Sequence, residues 1–297
     1  MRLKSALRRG VAAAVIAGIV VSSGIPAYAK TWNIADGDIT VKGASDESGN
    51  YNNVKQGEKD FEKDEGETVI TGESDKNTVN IDISKGDVDV TFDDLKIDVS
   101  GKKEGDGSDD SPVRESKAAV TVKGDHDAAI ELDGDNELKS GGYNAGLEKN
   151  EHESKGTLTI KDDKGKDGSL TAEGGFGGAG IGGGIESTGS NITIRGGTIE
   201  AVGGSNAAGI GDGAGAWSEI DPDAPSSNPN HIIISGDAEV EAKAGASTGG
   251  KTAAIGGGIV GEIPNDALSD DDHKVTGGSL TRYDPDGKKM EDYSYDR

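Results

Sequence analysis

Apolar residues in this chain recur in short alternating phrases, not in helical stripes or long continuous runs. Gly156-Thr157-Leu158-Thr159-Ile160 is followed by a polar turn, then Ser169-Leu170-Thr171-Ala172, a Gly pair, and Ala179-Gly180-Ile181-Gly182-Gly183-Gly184. The same order returns as Asn191-Ile192-Thr193-Ile194, Thr198-Ile199-Glu200-Ala201 and Ala208-Gly209-Ile210-Gly211-Asp212-Gly213. It returns again as His231-Ile232-Ile233-Ile234, Glu239-Val240-Glu241-Ala242 and Ala253-Ala254-Ile255-Gly256-Gly257-Gly258. Period-two alternation bounded by Gly, Asn and Asp predicts strands. Each unit therefore reads as three short strands separated by two tight turns.

Repetition at a few tens of residues predicts stacked units. The third strands are spaced 29 residues apart from Ile181 to Ile210 and 45 from Ile210 to Ile255. The excess falls after the Gly-rich phrase, in residues 214–230, and marks a loop at one corner of the stack. Upstream, Thr68–Ile70, Thr78–Ile83, Val88–Phe92, Leu95–Val99, Ala118–Val122 and Ala129–Leu132 alternate in the same way, more loosely. The expected fold is all-β, a parallel β-helix (solenoid) of short strands with Gly-rich turns. Equivalent strands pair in parallel about 4.8 Å apart, with Ile stacked on Ile and Ala on Ala inside. Residues 31–41, with Trp32, Ile34, Ile39 and Val41, form the expected N-terminal cap.

The first 29 residues follow a different pattern. Arg2, Lys4, Arg8 and Arg9 precede an apolar run from Val11 to Val21, and Ala27-Tyr28-Ala29 supplies a small-residue cleavage site. That is the layout of a signal peptide cleaved after Ala29. The expected organisation is a signal peptide over 1–29, the β-helix over 30–281 and a tail over 282–297. The expected location of the exported chain is extracellular, free or held at the cell surface, with no transmembrane segment after cleavage.

Composition sharpens this picture in three ways. Removing the leader's four basic residues leaves 27 basic against 55 acidic, a formal charge of −28. Such a charge repels nucleic acid and anionic membranes and offers oxygen ligands to hard cations. The absence of cysteine excludes disulfides and thiolate metal sites. Ile, Val, Leu and Phe make up only 55 of 297 residues, a share found in disordered chains. Their regular recurrence argues for order, least firmly over 43–66, 101–117 and 282–297.

Beside these repeats stand phrases that carry a resemblance. They are Trp32-Asn33-Ile34-Ala35-Asp36-Gly37-Asp38-Ile39-Thr40-Val41, Ala129-Ile130-Glu131-Leu132-Asp133-Gly134-Asp135-Asn136-Glu137-Leu138, and Gly168-Ser169-Leu170-Thr171-Ala172 leading into Gly180-Ile181-Gly182. In these the chain resembles secreted clostridial-type carbohydrate-binding-domain proteins, which are similar to an acidic-sugar-binding family of right-handed β-helices. The resemblance implies a pectate-lyase-like right-handed helix, bound Ca²⁺, and binding of plant polysaccharide without lyase chemistry. These are scaffold phrases, so they speak for fold more strongly than for ligand.

Candidate chemistry is sparse. Asp133, Asp135 and Glu137 bring several oxygens to one turn and are the expected Ca²⁺ ligands, with an Asx-rich turn as the plainer alternative. Asp87, Asp89 and Asp93, and Asp270 to Asp272, are weaker cation candidates. Trp217, on the long insertion, and Tyr143, in a Gly-rich turn, are the expected sugar-stacking aromatics. Arg195 is the one arginine weighed as a lyase base, and it reads as an outward repeat position equivalent to Lys161. Histidines are scattered without ligand spacing. The expected function is a secreted non-catalytic carbohydrate-binding protein for acidic plant or cell-wall polysaccharide, such as a uronic-acid polymer, with Ca²⁺ assistance. The alternatives are an adhesive surface solenoid showing its loops to a protein partner and, more weakly, a polysaccharide lyase.

Overall fold

The computed structural model describes residues 30–47, 49–64, 66–101, 116–165, 167–216, 231–247, 252–257 and 273–290. Within them the chain is all-β, with one short 3₁₀ turn at Ile34–Asp36. Successive units of three strands lie on one another in parallel. One unit is Leu158–Lys161, Ser169–Glu173 and Ile181–Gly182. Above it lie Ile192–Ile194, Thr198–Val202 and Ile210–Gly211, then Ile232–Ile234, Glu239–Lys243 and Ile255–Gly256. The expected three-strand unit is therefore present, and so is its register.

Three rows of strands result. Val90, Ile130, Ile160, Ile194, Ile234 and Val275 form one column in the first row. Leu138, Ala172, Ala201 and Ala242 do so in the second. In the third, Ile39, Val79, Val120, Leu147, Ile181, Ile210 and Ile255 stack in unbroken register, all buried. Like side chains meet because the side-chain period is two and the register is exact from unit to unit. Burial of these columns supplies the main favourable term, about 25 cal/mol per Å² of apolar surface.

The first two rows belong to one sheet because a single long strand, Val88–Asp98, serves both. Its first half pairs with Ala128–Asp133 and its last residues with Glu137–Lys139. The bend falls at Asp94, held at φ 51°, beside Gly134 at φ 64° in the next unit.

The N-terminal end departs from the expected simple cap. Lys30–Asn33 adds to the first row and Ile39–Asp46 to the third. The chain then turns back as two antiparallel strands, Gly49–Gln56 and Glu62–Asp64. This excursion is tied down by polar side chains. Trp32 Nε1 donates to the buried Asp64 carboxylate at 3.1 Å, which also accepts from the Thr68 hydroxyl at 3.0 Å. Asn52 Nδ2 in turn donates to Thr68 Oγ1 at 2.9 Å and to the Asp89 carbonyl at 2.7 Å. At the other end the last strand among the described residues is Ser279–Tyr283, with a bridge from Tyr283 to Lys289 and Met290 packed against the core.

One core position is a charge. Lys149 is fully buried, and its Nζ donates to the Ser154 carbonyl at 3.1 Å and the Ser190 carbonyl at 2.9 Å. Burial pushes its ammonium down to about 8, against the smaller opposing pull of Glu151 and Asp127. Between about 8 and the ordinary 10.5 the folded chain then binds fewer protons than the unfolded one. Stability from this group therefore rises with pH across that interval. The wild type is expected to gain on Lys149→Met by roughly 1.4 kcal/mol per pH unit there. Paired denaturant titrations from pH 7 upward check this, and a constant gap refutes it.

Candidate functional site

The outward faces of the first row and the antiparallel excursion enclose a polar cleft of about 390 Å³. Asn50, Tyr51 and Asn52 form its wall, and Asp87, Asp89, Thr91, Glu131 and Lys161 its floor. The floor is a product of the register. Thr91, Glu131 and Lys161 are cross-strand neighbours in three successive strands, each pointing away from the Val90–Ile130–Ile160 column. The wall is fixed by the Asn52 hydrogen bonds described above.

Charges in the cleft are knitted together. Lys164 and the Thr91 hydroxyl both donate to Glu67. The Lys164 contact, then that of Thr91, holds the Glu67 carboxyl below its ordinary range. Glu131 is only 3% exposed, and its Oε1 accepts the backbone N–H groups of Asp163 at 2.8 Å and Lys164 at 2.7 Å. Lys161 Nζ lies 3.5 Å from Glu131 Oε2 and 3.6 Å from Asp163 Oδ2. Arg195 follows in the same outward column and pairs with Asp163 at 2.5 Å. Asp87 accepts the Asp127 N–H at 3.1 Å and faces His126 at 3.7 Å.

The expected site residues lie elsewhere. Tyr143 sits in the loop between the second and third rows at φ 73°, its ring 52% exposed. It meets Phe176 of the next unit edge-on, with centroids 6.1 Å apart, and Phe176 is 49% exposed. Neither ring lines the cleft. Phe176 escaped the sequence reading because it stands alone in a glycine run. Trp217 lies outside the described residues.

Asp133, Asp135 and Glu137 do not converge on a common point. Glu137 is paired with Lys139 at 2.7 Å, and Asp135 Oδ1 accepts the Ser169 hydroxyl at 3.1 Å. Between them Asn136 is buried, accepting the Leu95 N–H at 2.9 Å and donating to the Asp133 and Ser169 carbonyls. The turn satisfies itself, as the plainer alternative holds. Asp133 instead faces Asp93, whose carboxyl is pushed up by burial, then by the charges of Asp133 and Asp94. Among the described residues no group of three His, Cys, Asp or Glu side chains is arranged to hold a metal ion. The trio is a poor fit to Ca²⁺.

No family model, curated protein or solved structure matches this chain. The cleft must therefore be read from its own chemistry. It offers carboxylate acceptors, ammonium and amide donors, and one phenol ring. Among the described residues no helix is long and apolar enough to cross a membrane.

Proposed function

We propose that the chain is a secreted, non-catalytic carbohydrate-binding protein built as a right-handed parallel β-helix. The handedness rests on a general rule: parallel strands of one sheet joined by a crossover connect right-handedly in about 98% of cases. Secretion rests on the leader over residues 1–29.

The observation that carries the binding reading is the cleft. Its volume of about 390 Å³ falls in the range of small-ligand sites. Its floor combines carboxylate acceptors with the Thr91 hydroxyl and the Lys161 ammonium, which suits a ligand made of hydroxyl groups. Tyr51 supplies a ring at the wall, with Lys63 Nζ 4.3 Å from its centroid. The non-catalytic reading is supported by Arg195, whose guanidinium is engaged by Asp163 and so poorly placed to act as a lyase base. Tyr143, now with Phe176, stays in the proposal as a peripheral sugar contact.

A glycan array probed with the chain lacking its leader tests this. Binding to a defined glycan class is expected, with no rise in unsaturated-uronate absorbance on polygalacturonate. An array without any binding would refute it. The adhesive-rod reading would then gain from the same exposed pair, Tyr143 and Phe176, as a contact for a protein partner.

A further inference from the structure

Resting on the carbohydrate reading, we infer that the cleft selects an uncharged sugar, gripping one hydroxyl between Glu131 and Lys161 without any metal. Two adjacent groups in the floor carry unused hydrogen-bonding capacity. Glu131 Oε1 is saturated by two loop N–H groups, but Oε2 is buried and accepts no hydrogen bond. Its nearest cation, Lys161 Nζ, stands at 3.5 Å. Charge-assisted N–H···O bonds close to about 2.7–2.9 Å. Lys161 is stretched at similar length to Asp163, at 3.6 Å, so among the described residues its ammonium has two ion pairs and no short hydrogen bond.

A sugar hydroxyl is both donor and acceptor. Once the partly exposed Lys161 ammonium swings off Oε2, which it covers in this conformation, a hydroxyl beside them donates to Oε2 and accepts from Nζ, meeting both needs at once. A ligand carboxylate can only accept, so it would leave Oε2 unmet and compete with Glu131 and Asp163 for Lys161. A ligand ammonium can only donate, so it would meet Oε2 and repel Lys161.

The wider charge of the cleft points the same way. Its lining holds four carboxylates (Glu67, Asp87, Asp89 and Glu131) against two ammonium groups, Lys161 and Lys164. Lys164 is already committed to Glu67. On a chain with a formal charge of −24, that balance repels a uronate polymer. The expectation of an acidic ligand bridged by Ca²⁺ thus gives way to a neutral one.

The test is an array of neutral gluco-, xylo-, manno- and galacto-oligosaccharides, oligogalacturonate with and without Ca²⁺, and oligomers of glucosamine. Calorimetry in excess EDTA follows on the best ligand. Binding is expected to be confined to the neutral class and unchanged by EDTA. Glu131→Gln keeps an oxygen for the two loop N–H groups and turns the atom beside Lys161 from acceptor to donor. It is expected to weaken binding at least tenfold with little change in melting temperature. Lys161→Met, which leaves both loop N–H bonds to Glu131 in place, is expected to do the same and carries the test if Glu131→Gln melts early. Tighter binding of the uronate or the glucosamine oligomer, loss of binding in EDTA, or wild-type affinity in folded variants would overturn the inference while leaving the carbohydrate reading intact. Binding to no glycan of any class would overturn both.

Discussion

Replacing Ile210 by alanine is expected to cost about 2–5 kcal/mol. Ile210 lies in the third-row column directly between Ile181 and Ile255 and is wholly buried. Its neighbours are held by strands only two residues long, Ile181–Gly182 and Ile255–Gly256, so the backbone ladder there is thin. The lost contacts cannot be recovered by collapse, because the flanking registers fix the spacing of the units. In a stack whose units touch mainly their nearest neighbours, the damage should be regional. Hydrogen exchange should quicken first around Ile181, Ile210 and Ile255, ahead of the N-terminal units. Thr198→Ala, on the outward face one row away, is expected to stay within about 0.5 kcal/mol. Equal losses for the two variants in denaturant titrations would remove the packed column from the account.

The second large effect concerns one backbone position. Gly182, Gly211 and Gly256 follow the three isoleucines at φ 136°, 128° and 117°, a region that side chains rarely enter. A Cβ on Gly211 would lie 2.3 Å from the carbonyl oxygen of Gly256 in the next unit. Gly211→Ala therefore carries backbone strain of roughly 1–3 kcal/mol and, beyond it, a clash that only separation of the two units can relieve. Gly49 provides the contrast. It has a similar φ of 122°, yet nothing lies within 4 Å of its added Cβ. Gly49→Ala is expected to show the strain alone. The difference between the two melting points isolates the close approach of successive units. If both alanines cost the same, the units do not lie as near to each other as described.

Much of this architecture is written into the order of residues. The phrase ending in Ile181-Gly182, Ile210-Gly211 and Ile255-Gly256 encodes both the third-row column and the glycines beside it. Alternation in Val88–Phe92 and Leu95–Val99 is also legible, but it reads as two strands. Pairing with two different rows makes one bent strand of them, with Asp94 at the corner.

The antiparallel excursion is not legible, for a physical reason. In Gly49–Gln56 the buried side chains are Asn52, Val54 and Gln56, two of them amides, so no apolar period marks the strand. Their burial is supported by hydrogen bonds to distant residues, such as Gln56 Nε2 to the Asn33 carbonyl, which composition cannot show. The cleft was hidden for a related reason. Tyr51, Glu67, Asp89, Glu131 and Lys161 come from five separate stretches and share no motif. Of the lining, Asp87 and Asp89 stand out in the sequence as weak cation candidates and Lys161 as an outward repeat position. Conversely, Asp133, Asp135 and Glu137 stand out in the sequence because they are close along the chain, but a lysine engages Glu137 and a serine engages Asp135.

The parallel stack, and the cleft built on it, require outward residues of successive units to lie side by side in one register. Thr171, Glu200 and Glu241 are such neighbours in the second row. The chain has no cysteine, so pairs can be introduced without background. Cysteines at 171 and 200, and at 200 and 241, should be joined rapidly by a short thiol-bridging reagent, since adjacent strands lie about 4.8 Å apart. Cysteines at 171 and 241, two strands apart, should be joined far more slowly. Failure of the adjacent pairs to link, or equal linking of all three pairs in the folded chain, would contradict the parallel stack and the cleft built on it.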